Sequence, residues 1–521
     1  MYTLKTFTIA SALVILVCLI SSFKKEPSVG ELLSKGFKSK IYKKFDTLVF
    51  DSVFNRTMDT LSVRLTNTKS IKAFYAGNAG SPKLIVKFYG NRNLDTLLSF
   101  LQNSNEHGLN PEMFSTKELA GLLEELKENK YTNVDQAYPT LAKVELLSAD
   151  AYISYVNYLR FGVVDPRKVF SGYLIPVKRP DHQSAIGLLN SIDISDTLDH
   201  VQNKSRQYKA LQSAYLQTED DAVRRILAVN MERLRWVLPK MGEEYVQVNI
   251  PDFNLVYYKQ EDTLAMMKVC VGSKSDEDYD KKMEVFKKSG DYEDRPDNHE
   301  TPMLFGSITL LYANPVWNIP ESIAKNEIYP TVLKNRSYLN KNQIGVYYKN
   351  KLVQDPGRIR WSKYSREKLP FRFVQKSGPK NSLGKFKFAF QNNSSIYLHD
   401  TNFKKAFKLT NRAISHGCIR LERPLKFAEL LVADKAKYDK LRSEIGLAPL
   451  DSSRLVAYKL NRAKKVQVKN LIPEPVAFSP KKPVSLLITY FTAWEMNNKI
   501  EYRPDVYGMD KKLWLAMNKV R

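Results

Sequence analysis

The sequence predicts an α+β protein: a mainly helical N-terminal domain, then a β-rich domain of sandwich-like or barrel-like build that carries an inserted segment. Two observations carry this. Up to about Pro239 apolar residues recur at steps of three and four, and from Tyr245 they alternate, which puts the boundary near residue 240 and the domains at 31–240 and 241–521. The chain has 521 residues, 43% of them hydrophobic and 11% aromatic, enough apolar material for more than one buried core and unlike a disordered chain.

Residues 1–25 stand apart. Lys5 precedes an apolar run from Phe7 to Ile20, and Lys24 and Lys25 follow it. The run is shorter than the roughly 20 residues a membrane-spanning helix needs, so it reads as an export signal. The residues near Ser21 and Ser22 lack an A-x-A pattern, and a retained N-terminal anchor stays open beside cleavage. The expected location is the periplasm or cell envelope, with membrane contact only through that anchor. Val17 before Cys18 fits lipidation poorly. Outside the leader only Cys270 and Cys418 remain, too few for a disulfide scaffold. Cys270, in LAMMKVCVG, reads as an apolar strand filler, whereas Cys418 stands in a polar setting suited to a reactive thiol.

In the first domain, Leu94 to Phe114 carries an apolar face that stops at His107-Gly108. From Leu141, the residues Val144, Leu147, Ala151, Tyr155 and Tyr158 draw one buried stripe that ends at Gly162. Two more helices are expected over Ser205 to Leu216 and Asp221 to Val237. His107, His182 and His200 stand singly among polar neighbours and read as surface or capping residues.

In the second domain, YVQVNI sets Val246, Val248 and Ile250 on one face, and the alternation resumes after Pro251-Asp252 with Phe253, Leu255 and Tyr257, a hairpin pattern. A third strand, Leu264 to Val271, ends at Gly272. Others are expected near Ser307 to Tyr312, Lys385 to Phe390, Ser395 to Leu398 and Val484 to Thr492, with few helices between them. Ser273 to Glu300 is charged and patternless, an exposed excursion or loop. Pro320 to Pro370 is the inserted segment. Its basic run, Arg358, Arg360, Lys363, Arg366 and Lys368, is either a solvated face or part of a lid over an acidic substrate.

Chemistry concentrates in SHGCIR, Ser415 to Arg420, with His399 placed before it in IYLHDT. A free thiol is only a few per cent ionised at neutral pH, so Cys418 needs a base, and a histidine can serve. His399 is the preferred base and His416 a supporting residue, because His416 is separated from Cys418 by a single residue, which in an extended chain points both side chains the same way but often too far apart for a direct bond. Gly417 lets the backbone pass close to a substrate, and the N–H groups around Cys418 suit an oxyanion hole. The set fits acyl transfer. Zinc held by His399, His416 and Cys418 is the rival, without a fourth ligand at familiar spacing. No metal or cofactor is expected. The net charge of +26 favours an anionic partner, while the export leader and the lack of a binding motif speak against nucleic acid.

IYLHDT, thirteen residues, then SHGCIR resembles the signature of the L,D-transpeptidases, cysteine enzymes that cross-link peptidoglycan. NMERLRWVLP, VNIPDFNLVYY, LYANPVWNIPESIAKNEI, GPKNSLGKFKFAF and ITYFTAW are similar to the large periplasmic subgroup with an N-terminal helical scaffold and an inserted lid. LLSADAYISYVNYLRFGVVDPRK resembles that scaffold. The resemblance implies that Cys418 is the nucleophile, His399 its base, and the backbone of His416 to Cys418 the oxyanion hole. Asp400 would orient His399 through its main-chain carbonyl, and with Trp317, Tyr397, Ser415 and Arg420 it is counted among the substrate-site residues. The implied donor is a peptidoglycan tetrapeptide stem, cut between its third residue and D-Ala and passed to a diamino-acid amine to give a 3-3 cross-link. Water as acceptor would make the protein an L,D-carboxypeptidase, a non-catalytic wall-binding scaffold is a further alternative, and carbapenem acylation of Cys418 is implied. In one respect the chain departs from the subgroup: no peptidoglycan-binding repeat is recognisable between the domains, so wall binding is expected to rest on the basic surface and the lid.

Overall fold

A computed structural model describes residues 26–77, 80–190, 193–260, 262–291, 294–467 and 472–520. The expected export segment lies outside them. Among the described residues no helix is long and apolar enough to cross a membrane. They form two compact units: the described residues up to Val163 with Arg179–Arg224 and the C-terminal residues from Met517, and a second unit of Val164–Lys178 with Arg225–Ala516.

The first unit is built round the helix Tyr138–Phe161. The helices Thr47–Leu61, Thr68–Ala76, Lys83–Phe88, Asn93–Gln102, Thr116–Glu128 and His182–Leu189 all pack on it. The stripe of Val144, Leu147, Ala151, Tyr155 and Tyr158 is buried, but so are Glu145, Ser148 and Asn157 between them, because neighbours surround the helix on every face. Gly162, at φ 80°, ends it, and its N–H closes on the Tyr158 carbonyl. Glu145 accepts the Leu84 and Ile85 N–H groups at 2.7 and 3.0 Å and the Tyr75 hydroxyl, and burial pushes its pKa up to about 7. One expectation is corrected here. His107 is no surface residue; it is buried, 3.0 Å from the Tyr208 hydroxyl, in the turn Asn103–His107 that finishes the helix Asn93–Gln102.

The second unit contains eight strands whose pairings close into a ring: β1 (Glu244–Asn249), β2 (Asn254–Lys259), β3 (Asp262–Gly272), β4 (Met303–Ala313), β5 (Phe386–Phe390), β6 (Leu398–His399), β7 (Ile419–Leu421) and β8 (Val484–Thr489). Round the ring the order is β1-β2-β3-β7-β6-β5-β4-β8 and back to β1. The contacts β6–β7 and β8–β1 are parallel and the rest antiparallel. A ring leaves no long free edge for another chain to pair with. The alternation read from the sequence is the inward face: Val246, Val248, Leu255, Tyr257, Val269, Phe388, Leu398, Ile419 and Ile488 are buried, and the helix Pro424–Val432 lays Phe427 against Phe388 at 4.8 Å.

Two stretches differ from expectation. Ser273 to Glu300 is not only a loop, for it holds the exposed helix Tyr279–Ser289. The unit is also richer in helix than expected, with Pro424–Val432, Lys435–Glu444 and Leu455–Gln467 following the site in sequence. The insertion between β4 and β5 folds round its own core. Its strands Trp317–Asn318, Phe371–Gln375, Ile344–Tyr348 and Lys351–Leu352 pair antiparallel, over buried Trp361, Phe373, Val346 and Val332.

Candidate active site

Strand register assembles the site. Lys387 on β5 pairs with His399 on β6, His399 with Arg420 on β7, and Arg420 with Cys270 on β3. Residues in register share a face, so these four form one row on the face opposite the Phe388, Leu398 and Ile419 side chains. Two residues back along β6 and β7 the same face carries Tyr397 and Cys418, and on antiparallel β3 it carries Gly272, which ends that strand. Residues far apart in sequence meet because three short strands are paired in this way.

His399 is buried, and its Nδ1 meets the main-chain carbonyl of Asp400. A carbonyl only accepts, so Nδ1 carries the proton and Nε2 is the basic nitrogen. Burial, with Arg420, Lys387 and Lys404 adding repulsion, pushes the His399 pKa from 6.5 down to about 3. The imidazole is therefore neutral at any ordinary pH. The Asp400 carboxylate accepts the N–H groups of Lys385 at 2.8 Å and Thr401 at 2.7 Å and pairs with Lys404, which fixes the carbonyl that holds the ring.

Cys418 is half-buried. Burial raises its thiol pKa, opposed by hydrogen bonds from the Tyr397 main chain and phenol and by the charges of Lys387 and Arg420. The Lys387 ammonium lies 4.1 Å from the centre of the Tyr397 ring, and burial lowers its own pKa. Burial pushes the Tyr397 phenol well up, opposed by Trp317, from the strand that leads into the insertion. Arg420 is partly buried beside Cys418 and Glu327.

The turn that presents Cys418 is tied from within. Ser415 is buried, and its hydroxyl accepts the Gly417 N–H at 3.1 Å and donates to the Cys418 carbonyl at 2.6 Å. Gly417 sits at φ 107°, a conformation that side-chain-bearing residues avoid. Its carbonyl accepts from the Thr301 hydroxyl at 2.7 Å. Gly272 is needed for another reason: a Cβ there would fall 1.6 Å from the His299 carbonyl oxygen, so only glycine lets the segment around Thr301 pass.

The structure thus brings Cys418, His399, Asp400, Tyr397, Trp317 and Arg420 together. It gives Ser415 and Gly417 to the turn itself, and it directs His416 to Glu327. Cys270 is buried against Ala406 and Phe407, as expected of a filler. Sequence reasoning missed Lys387, His299, Thr301 and Glu327. Of these only Lys387 had a signal, the alternation of FKFAF that sets it opposite the core phenylalanines. A thiol on the same sheet face as a neutral imidazole with a basic Nε2, and under the charge of Lys387 and Arg420, can be deprotonated and attack a carbonyl.

Comparison with known proteins agrees with this architecture. Residues 243–440 match the family model of the YkuD L,D-transpeptidase catalytic domain, and residues 69–214 match that of the Scaffold domain. A protein of Haemophilus influenzae, provisionally named as an L,D-transpeptidase, is 25% identical over 384 residues, which span 71% of this chain and 67% of that protein. With the two family models falling on the β-rich and the helical regions respectively, the chain carries a domain of the YkuD L,D-transpeptidase catalytic type behind one of the Scaffold type.

Proposed function

We propose that the protein is a peptidoglycan L,D-transpeptidase working through Cys418 at the cell envelope. The observation that carries this is the row of Lys387, His399 and Arg420 with Cys418 beside it, in which the Asp400 carbonyl leaves His399 Nε2 as the base. His399 takes the thiol proton as Sγ attacks the carbonyl of the third stem residue. The Cys418 N–H supports the oxyanion, since that of Gly417 is bonded to Ser415. The C–N bond to D-Ala then breaks, the departing amine takes the proton from His399, and a thioester remains. A diamino-acid amine of a second stem attacks the thioester, His399 accepts its proton, and the thiol is restored as the 3-3 cross-link forms. Trp317 and Tyr397 wall the groove in this reading, and Arg420 and Lys387 favour the thiolate.

Incubation of the purified protein with a disaccharide-tetrapeptide, read by mass, tests it. Dimers lacking one D-Ala are the expected product, and Cys418→Ala abolishes them. Trimmed tripeptides alone would make water the acceptor and the protein an L,D-carboxypeptidase. No turnover by folded protein would leave a wall-binding scaffold. A carbapenem is expected to add covalently at Cys418, and an unchanged intact mass would count against that cysteine as nucleophile.

A further inference from the structure

The second histidine of the motif is held by two residues from elsewhere in the chain. Nε2 of His416 lies 2.5 Å from Oε1 of Glu327, on the turn Ala324–Ile328 of the insertion. A carboxylate only accepts, so Nε2 carries a proton. The other face of the contact is His299, at the return of the charged stretch, whose ring centre lies 4.5 Å from that of His416 at 59°. Three stretches with no local relation in the chain meet on one side chain, two residues from Cys418.

We propose that Glu327 and His299 are positioning residues that clamp the Cys418 turn and make its geometry depend on where the insertion is docked. The inference rests on the reading of Cys418 as nucleophile. Its physical basis is the glycine between His416 and Cys418. At φ 107° Gly417 has no side chain to restrain its peptide units. Ser415 and Thr301 hold the N–H and C=O of Gly417. The His416 imidazole, fixed at its far end by Glu327 and packed on His299, adds a further restraint at the residue before Gly417. With the clamp open, Sγ and the Cys418 N–H lose their fixed relation to the bound carbonyl, and an ångström of misplacement is enough to slow chemistry about a hundredfold. The hydrogen bond to His416 also holds the Glu327 carboxyl below its usual range, as expected of a contact made by the ionised form.

The test uses the full chain and steady-state D-Ala release from a tetrapeptide, with Glu327→Ala, Glu327→Gln, His299→Ala and His299→Phe. Glu327→Ala is expected to lower kcat about tenfold or more while KM stays within about twofold and the melting temperature is unchanged. Glu327→Gln, whose amide oxygen still accepts from Nε2, keeps most of the rate. His299→Phe keeps the ring contact and the rate, and His299→Ala loses both. Wild-type kcat in Glu327→Ala, or a loss that appears wholly in KM, overturns the clamp. Should Glu327→Ala not fold, His299→Ala decides on the same readings. If folded wild type releases no D-Ala, the functional reading fails instead, so the two failures are distinguishable.

Discussion

At the scale of single residues, the site is poised neutral. Burial raises the Cys418 thiol above its ordinary 9.0 and drops His399 to about 3, so near neutral pH both thiol and imidazole are uncharged. The sign of the pH dependence follows. Protonation of His399 removes the base only as pH falls toward 3, and ionisation of Cys418 rises through the alkaline range. The rate of Cys418 alkylation by iodoacetamide is expected to climb with pH above 7 and to show no inflection near 6.5 from His399. Lys387→Met removes a cation that favours the thiolate, so the climb moves to higher pH. An inflection between pH 6 and 7 that disappears in His399→Ala would contradict the neutral pair. Cys418 and His399 were legible in the sequence as candidates because the two-part pattern of IYLHDT and SHGCIR is far less common than HGC alone. Glu327 and His299 were not, because a glutamate in a helical turn and a histidine ending a charged stretch look like any solvated residue until the chain folds them onto His416.

At the scale of elements, alternation revealed nearly every strand of the ring, since one face of each is buried and the period of two survives in the sequence. The closure of β8 on both β1 and β4 was not legible, because partner choice is set by long-range packing rather than by local pattern. Nor was β7 expected as a strand: Ile419–Leu421 is only three residues and was read for its chemistry. The insertion was seen as a basic segment, and its sheet was hidden by short strands and intervening turns. Folded, it sets Arg358, which pairs with Asp355 at 3.2 Å, and Arg360 and Lys363 beside Tyr348, Tyr364 and Phe371 round an open surface cavity of about 300 Å³. Cations over an apolar floor suit a carboxylate-bearing peptide, and we propose that this cavity grips stem carboxylates. Replacing Arg358, Arg360 and Lys363 together with Gln is expected to raise KM for a tetrapeptide about tenfold, with kcat and the melting temperature little changed, on the order of the loss of one or two charged contacts. Unchanged sacculus binding and turnover would return the run to a solvated face.

At the scale of the whole molecule, the net charge of +26 is the feature that no single site uses. The basic residues are spread along the chain, so their summed field acts over the surface and not at one pocket. A polymer rich in carboxylates, as peptidoglycan is in the functional reading, would be attracted from all sides and held loosely. Such attraction must be sensitive to salt, because the screening length falls from about 10 Å at 0.1 M to about 3 Å at 1 M. Co-sedimentation with purified sacculi is therefore expected to weaken about tenfold or more between 50 mM and 0.5 M NaCl, whereas KM for a small soluble tetrapeptide, set by contacts inside the groove, changes far less. The two responses separate the scales. If sacculus binding holds in 0.5 M NaCl, the diffuse charge is not what keeps the enzyme on the wall, and a defined surface, such as the insertion cavity, must do so alone.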